Sequence, residues 1–339
     1  MTAAASRPPC SRRGSVLVAV LGMLFIASIM ITVIIERAVR DIAYRGLHDN
    51  RPDLQREAYS ALMAGMAALE ELKFFDGKLY GPQQGWSTAI SDADYTPSNG
   101  YSVDIAVDDE SGKIALKEEN AEQLRALLIA LEISEFEIDM MLDALFDWID
   151  ADDAIRPNGA EDDTYDNRDP VYRPANAPLA NFDDLRLIEH WDEQFFDEEG
   201  QPNENFRQFK RCVSLYNEGK INVHTAPQFL LEALAERDGT PIEALLDYLL
   251  GPDGEANTGD ETPLAEASLS PMPQSESFAN ATTDQATIVQ MRVTVSRGDI
   301  RSSLTALLDL SQQDQLPGLN NSQIPLPFKV LGIRENQRF

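Results

Sequence analysis

The sequence predicts an α+β fold: a long N-terminal helix laid against an antiparallel sheet, with a large α-helical domain inserted between the strands of that sheet. Three observations carry this. An uncharged apolar run from Ser15 to Ile35 leads into helical spacing that lasts to residue 75. Strand-like alternation occurs near residues 101–116 and returns only at 286–297 and 327–335. The stretch between them, 118 to about 250, reads as one amphipathic helix after another.

The apolar run comes first. Its roughly 21 residues, at about 1.5 Å each, make a helix that spans a hydrocarbon core of about 30 Å. A cleaved secretory signal has an apolar region of about 7 to 15 residues and then a small-x-small site. This run is longer, and Glu36-Arg37-Ala38-Val39-Arg40 behind it offers no such site. Ahead of it, Arg7, Arg12 and Arg13 are unopposed by acids, which puts the N-terminus in the cytoplasm and the chain after Glu36 outside. On these residues alone the segment is a type II membrane anchor.

The helical pattern continues to about Asp49, and Pro52 predicts a kink or short break. Leu54, Ala58, Ala61, Leu62, Met66 and Leu69 then recur at helical spacing, so 54–75 is an amphipathic helix packed on a folded domain. Tyr101 to Asp108 alternates with period two, and Asp109-Glu110-Ser111-Gly112 predicts a β-hairpin back through Lys113 to Leu116.

Leu124, Leu127, Leu128 and Leu131 form the stripe of the next helix. Ile138, Met141, Leu142, Leu145 and Trp148 form another, behind a Ser134 N-cap with Glu137 in the capping-box position. Weaker helices are predicted at 182–190, 227–237 and 241–249. Residues 251–284, rich in Gly, Pro, Ser, Glu and Asp, read as a flexible linker.

Charge excludes one class of partner. With 57 acidic against 28 basic residues, a formal charge of −29, the surface repels phosphate backbones and suits cations and basic surfaces. Cys10 and Cys212 cannot make an internal disulfide if the segment ahead of the apolar run is removed, and His48, His190 and His224 are too scattered for a zinc site. No nucleophile elbow, HExxH or phosphate loop occurs, so no enzyme chemistry is predicted. His190 and His224 read as surface or cap residues.

The densest acidic stretch runs from Asp147 to Trp191. Measured against an EF-hand loop, Asp150, Asp152 and Glu161 fall at positions one, three and twelve, but Ile155 stands where the turn needs glycine. The stretch is either a solvated acidic loop capping a helix or a cation site, and oxygen-only ligands suit Ca²⁺ better than zinc. Downstream, Asn222-Val223-His224-Thr225-Ala226-Pro227 precedes a helix, with Thr225 placed to N-cap it.

A basic leader ending in Gly14 and followed at Ser15 by an apolar helix resembles the class III signal of type IV pilins and pseudopilins. The resemblance implies cleavage after Gly14 by prepilin peptidase, methylation of Ser15, and retention of the helix as a filament core. Ala19 stands at the fifth mature position, where most such subunits carry glutamate. A subunit with no neighbour above it does better without that buried carboxylate, which implies a place at the filament tip.

The string Val107 to Leu116, the Asp-Trp-Ile-Asp-Ala-Asp run, Asn158 to Asp162, Tyr172 to Asn176, and the Asn-Val-x-Thr-Ala-Pro string come in the order of the minor pseudopilin K family of type II secretion systems, and nearly the whole chain is similar to it. The resemblance implies a leader at 1–14, a transmembrane and filament-core helix at 15–35, and a pilin-like domain at 36–117 and 285–339. It also implies an inserted SAM-like helical domain at 118–250 and a linker at 251–284.

It implies structural Ca²⁺, with Asp150, Asp152, Glu161 and Asp162 as ligands. The partners it implies are minor pseudopilins of the I, J and H types, the major pseudopilin, prepilin peptidase and the inner membrane, with contact to secreted protein or the outer-membrane secretin following, and no nucleic acid. The implied role is to prime pseudopilus assembly for export of folded proteins from an inner-membrane, single-pass position with most of the chain periplasmic. The rival readings are a membrane-tethered helix-hairpin-helix DNA-binding protein and a single-pass periplasmic hydrolase.

Overall fold

The structure, a computed structural model, describes residues 13–86, 95–98, 100–252, 275–298, 300–317 and 323–336. Most of the 1–14 leader and of the 251–284 segment thus lies outside the described residues. Gly14 and Ser15 fall in the first turn of the first helix.

That helix, α1 (Arg13–Asp76), is continuous and contains Pro52, so the break expected there does not occur. Pro52 is exposed, and a hydrogen bond lost on the solvent side can be replaced by water at modest cost. The last third of α1 is the amphipathic part. Leu54, Ala58, Ala61, Leu62, Met66 and Leu69 are all buried against the sheet. Gly65 sets how close the two layers come: a Cβ there would lie 2.9 Å from both Ile105 Cδ1 and Met291 Sδ.

The strand β1 (Ser102–Asp109) does not turn back on itself. It pairs antiparallel with a strand far along the chain, while β2 (Ile114–Ala115) leaves the sheet, so the hairpin expected at 101–116 is absent. The cause is local. The Ser111 N–H donates to Asp109 Oδ1 at 2.8 Å, closing an Asx turn that redirects the chain.

The helical head follows: α2 (Ala121–Ala130), α3 (Glu135–Ile149), α4 (Asp162–Tyr165), α5 (Trp191–Phe195) and α6 (Glu204–Cys212). After α6 come β3 (Val213–Ser214) and β4 (Ile221–Asn222), then α7 (Gln228–Asp238) and α8 (Glu243–Leu250). The capping box at the start of α3 is present, with the Glu137 N–H donating to Ser134 Oγ at 3.4 Å and the Ser134 N–H to Glu137 Oε2 at 3.2 Å. The helix expected at 182–190 is instead a 3₁₀ segment at Phe182–Leu187 followed by α5. Trp191 is fully buried, and its Nε1–H donates to the Met141 carbonyl at 2.7 Å, tying α5 to α3.

Residues 275–284, expected inside a flexible linker, form α9 (Glu276–Ala281) and β5 (Thr282–Thr283). Phe278 anchors them by burying itself in the head core. The chain then re-enters the main sheet with β6 (Ile288–Arg297), β7 (Ile300–Asp309), a small ribbon of β8 (Asp314–Pro317) and β9 (Gln323–Leu326), and β10 (Lys329–Glu335). Sheet order is β1-β6-β7-β10, antiparallel throughout. Val289, Met291, Val293 and Val295 of β6 alternate onto the α1 face, joined by Leu304, Ala306 and Leu308 of β7. Two separate cores result, one between α1 and the sheet and one inside the head.

Candidate metal centre

The acidic loop begins where α3 ends at Ile149, and aromatic side chains hold it, Trp148 and Tyr165 buried and Tyr172 half-buried. Trp148 meets Tyr165 edge-on at 5.2 Å, and Tyr165 lies 5.3 Å from Tyr172. Around this pillar the loop folds inward on Asp147, which is fully buried at the end of the helix. Arg156 is the counter-charge. Its guanidinium donates to Asp147 Oδ1 at 2.7 Å, Asp150 Oδ2 at 2.6 Å and Glu118 Oε2 at 3.1 Å, while its backbone N–H reaches Asp147 Oδ2 at 3.1 Å. The backbone passes so close here that a Cβ on Gly159 would sit 1.8 Å from Asp147 Oδ2. Only glycine fits.

One arginine does not neutralise the cluster. Burial, and then the charges of Asp147, Asp150, Asp153 and Asp162, push the Glu161 carboxyl up to about 7. Asp150 Oδ1, Glu161 Oε1 and Asn176 Oδ1 are buried and accept no hydrogen bond. Buried oxygens ordinarily find donors, and these three have none within the protein. Among the described residues no three His, Cys, Asp or Glu side chains are gathered as a metal cluster. Two carboxylates and an amide oxygen are donors of the kind that suits a hard, oxygen-seeking ion.

Of the four ligands expected from the sequence, Asp150 and Glu161 thus bear the unpartnered oxygens. Asp162 lies near Glu161 and ion-pairs with Arg173 at 3.1 Å. Asp152 is exposed, and its Oδ1 accepts the Ala154 N–H at 2.9 Å, apart from the orphaned oxygens. Asn176 and Asp147 were not expected. Asp147 sits on the buried side of an amphipathic helix, where a carboxylate needs a partner. That position was the available signal for it.

A second polar cluster joins head to sheet. Asp109, buried at the end of β1, accepts from Asn222 Nδ2 at 2.7 Å and Thr225 Oγ1 at 2.6 Å. Asn222 Nδ2 also reaches the Tyr80 carbonyl at 2.8 Å. Ser111 Oγ accepts the Thr287 N–H at 2.8 Å, which ties in the approach to β6. Burial raises the Asp109 carboxyl above its usual range, against the pull of the hydroxyl and amide donors.

Thr225 is therefore not a helix cap. α7 begins after Pro227, with no side-chain cap, because the threonine hydroxyl is committed to Asp109. His224 is likewise no surface residue. It is buried between Tyr80 (5.1 Å) and Tyr248 (5.9 Å), and burial lowers its pKa to about 4. His190 does occupy a cap position, ahead of α5 with φ of 69°.

Residues 103–198 match the family model for type II secretion system (T2SS), protein K. Over that segment the chain is similar to the type II secretion system protein K family. The matched segment contains all of β1 but Ser102, the Asx turn, α3 and the whole acidic loop. Type II secretion system protein K of Pseudomonas aeruginosa is 29% identical over 160 residues, 44% of this chain and 45% of that one. The protein K of Pectobacterium carotovorum subsp. carotovorum is 28% identical over 192 residues, 52% and 58% respectively.

The chain thus spans about half the length of the curated K-family relatives it matches. The crystal structure of the GspK-GspI-GspJ complex from the enterotoxigenic Escherichia coli type 2 secretion system aligns over 89% of this chain and 100% of that one. Its TM-score is 0.53 at 17% identity, which shows a shared fold.

Proposed function

We propose that this chain is a minor pseudopilin at the tip of the type II secretion pseudopilus. It would prime assembly of the filament and support export of folded proteins across the outer membrane. The observation that carries the reading is the shape of α1. Its last third is buried by the chain's own sheet, while among the described side chains near its start Val20, Leu21, Leu24, Phe25, Met30 and Ile31 stand exposed. Apolar side chains on a projecting helix need lipid or the helices of other subunits around them, and exchange of one for the other is what filament assembly requires.

Among the described residues no helix is long and apolar enough to cross a membrane, and much of the 15–35 run is not described at side-chain level. The single-pass topology, with a cytoplasmic N-terminus and periplasmic bulk, rests on the arginines of the leader and the length of the apolar run. Cleavage at Gly14 and methylation of Ser15 by prepilin peptidase belong to the same reading. So do partnership with the I-, J- and H-type minor pseudopilins and the major pseudopilin, and contact with substrate or secretin. The head, inserted between β1 and β6, would crowd any subunit stacked above it. The role is associative, not enzymatic.

For calcium the same reading holds: Asp150, Glu161 and Asn176 would hold Ca²⁺, with Asp152 and Asp162 on the rim. The ion would supply the positive charge that Arg156 alone does not. A strain lacking this chain should fail to export its type II substrates and recover on complementation. Normal export without it would end the proposal.

A further inference from the structure

We infer that the head carries a docking pocket for a protein segment that presents one apolar side chain flanked by lysine or arginine. The pocket, about 330 Å³, opens where β2 and the loop after β3 meet the end of α3. Its apolar lining comes from Leu116, Phe146, Ile149 and Leu215, of which Leu116 and Phe146 are buried and the other two half-buried. That volume takes a side chain of leucine to phenylalanine size with part of its backbone.

Pro178 and Asn217 complete the uncharged lining, and the charged part is mainly acidic: Glu118, Glu119, Asp150 and Glu218 against Lys117, with Arg156 behind them paired to Glu118 and Asp150. An apolar floor under an acidic edge selects a partner by both properties, because a basic flank is attracted by the exposed carboxylates of Glu119 and Glu218 and an acidic one is repelled. The pocket is also held open in advance. Arg156 binds two of the lining acids, Glu118 at 3.1 Å and Asp150 at 2.6 Å, so little ordering cost falls on the incoming segment. Glu119 and Glu218 are exposed.

The test uses the full chain in detergent and the probe acetyl-Lys-photoleucine-Lys amide, whose diazirine marks residues it touches on illumination. Crosslinks mapped by mass spectrometry should fall on Leu116, Phe146, Ile149 or Leu215 and be competed by acetyl-Lys-Leu-Lys amide. The acidic analogue, acetyl-Glu-photoleucine-Glu amide, should label far less. Glu119→Lys combined with Glu218→Lys, both exposed positions, should weaken labelling by about fivefold while leaving the melting temperature unchanged. Labelling spread over the surface, equal labelling by the acidic analogue, or indifference to the double charge reversal would overturn the assignment.

Discussion

Asn222 reaches across the seam between the helical head and the sheet to donate 2.7 Å to Asp109, the last residue of β1. A single buried carboxylate thus receives hydrogen bonds from the turn behind it and from the head in front of it. The approach is close: a Cβ on Gly112 would lie 2.7 Å from the Thr225 carbonyl oxygen.

Replacing Asp109 by alanine strands buried donors of Ser111, Asn222 and Thr225 together, and should cost about 3 kcal/mol or more. Thr225→Val removes one donor and should cost about 1 kcal/mol. Thermal or denaturant unfolding of the two variants checks the ranking, and limited proteolysis should find the head loosened in the first.

The acidic loop tolerates no side chain at Gly159. Gly159→Ala drives a methyl into Asp147 Oδ2 and displaces the carboxylate from Arg156. The expected loss is about 2 to 4 kcal/mol, read as a fall in melting temperature. A variant as stable as the parent would show that the loop is looser than its packing indicates.

His224 sets a pH dependence whose sign can be worked out. Its folded pKa of about 4 lies below the ordinary 6.5, so the fold favours the neutral ring. Burial causes this; Lys78 adds to it and Asp284 opposes it. The stability it contributes is complete above pH 6.5 and is lost as pH falls through 4, about 3 kcal/mol in all. His224→Phe, which can stay stacked between Tyr80 and Tyr248, should flatten the stability profile over that window. An unchanged slope would contradict the assignment.

Calcium should raise the melting temperature of the parent and chelator should lower it, by about 2.7 kcal/mol of stability at a hundredfold excess over Kd. Glu161→Gln should remove that response. It should also leave the metal-free protein at least as stable, since it deletes a buried charge that Asp147, Asp150, Asp153 and Asp162 disfavour. A Glu161→Gln protein that still gains the full increment would exclude Glu161 as a ligand.

Local signals were legible and long-range ones were not. The leucine stripes of α2 and α3, the Ser134 capping box and the strands β6 and β10 follow from spacing that adjacent residues impose on themselves. The partner of β1 does not: alternation and a Gly-containing turn suggested a hairpin, yet the strand waits for β6 beyond the whole head. β7 was missed because Ser302, Ser303 and Thr305 dilute its apolar run. The hairpin turn at Gly298, with φ of 59°, was its available signal.

Likewise Asp150 and Glu161 stood out as carboxylates in a crowded loop. Asn176 is uncharged and comes in from a separate segment, where its N–H donates to the Trp148 carbonyl at 3.0 Å. Nothing in its neighbours announces it.

The most direct test of the pseudopilin reading is the mass of the N-terminal peptide of the protein recovered from native membranes. The account predicts a chain that begins at Ser15 with a methylated amine. A polypeptide still carrying Met1 and the residues up to Gly14 would contradict it.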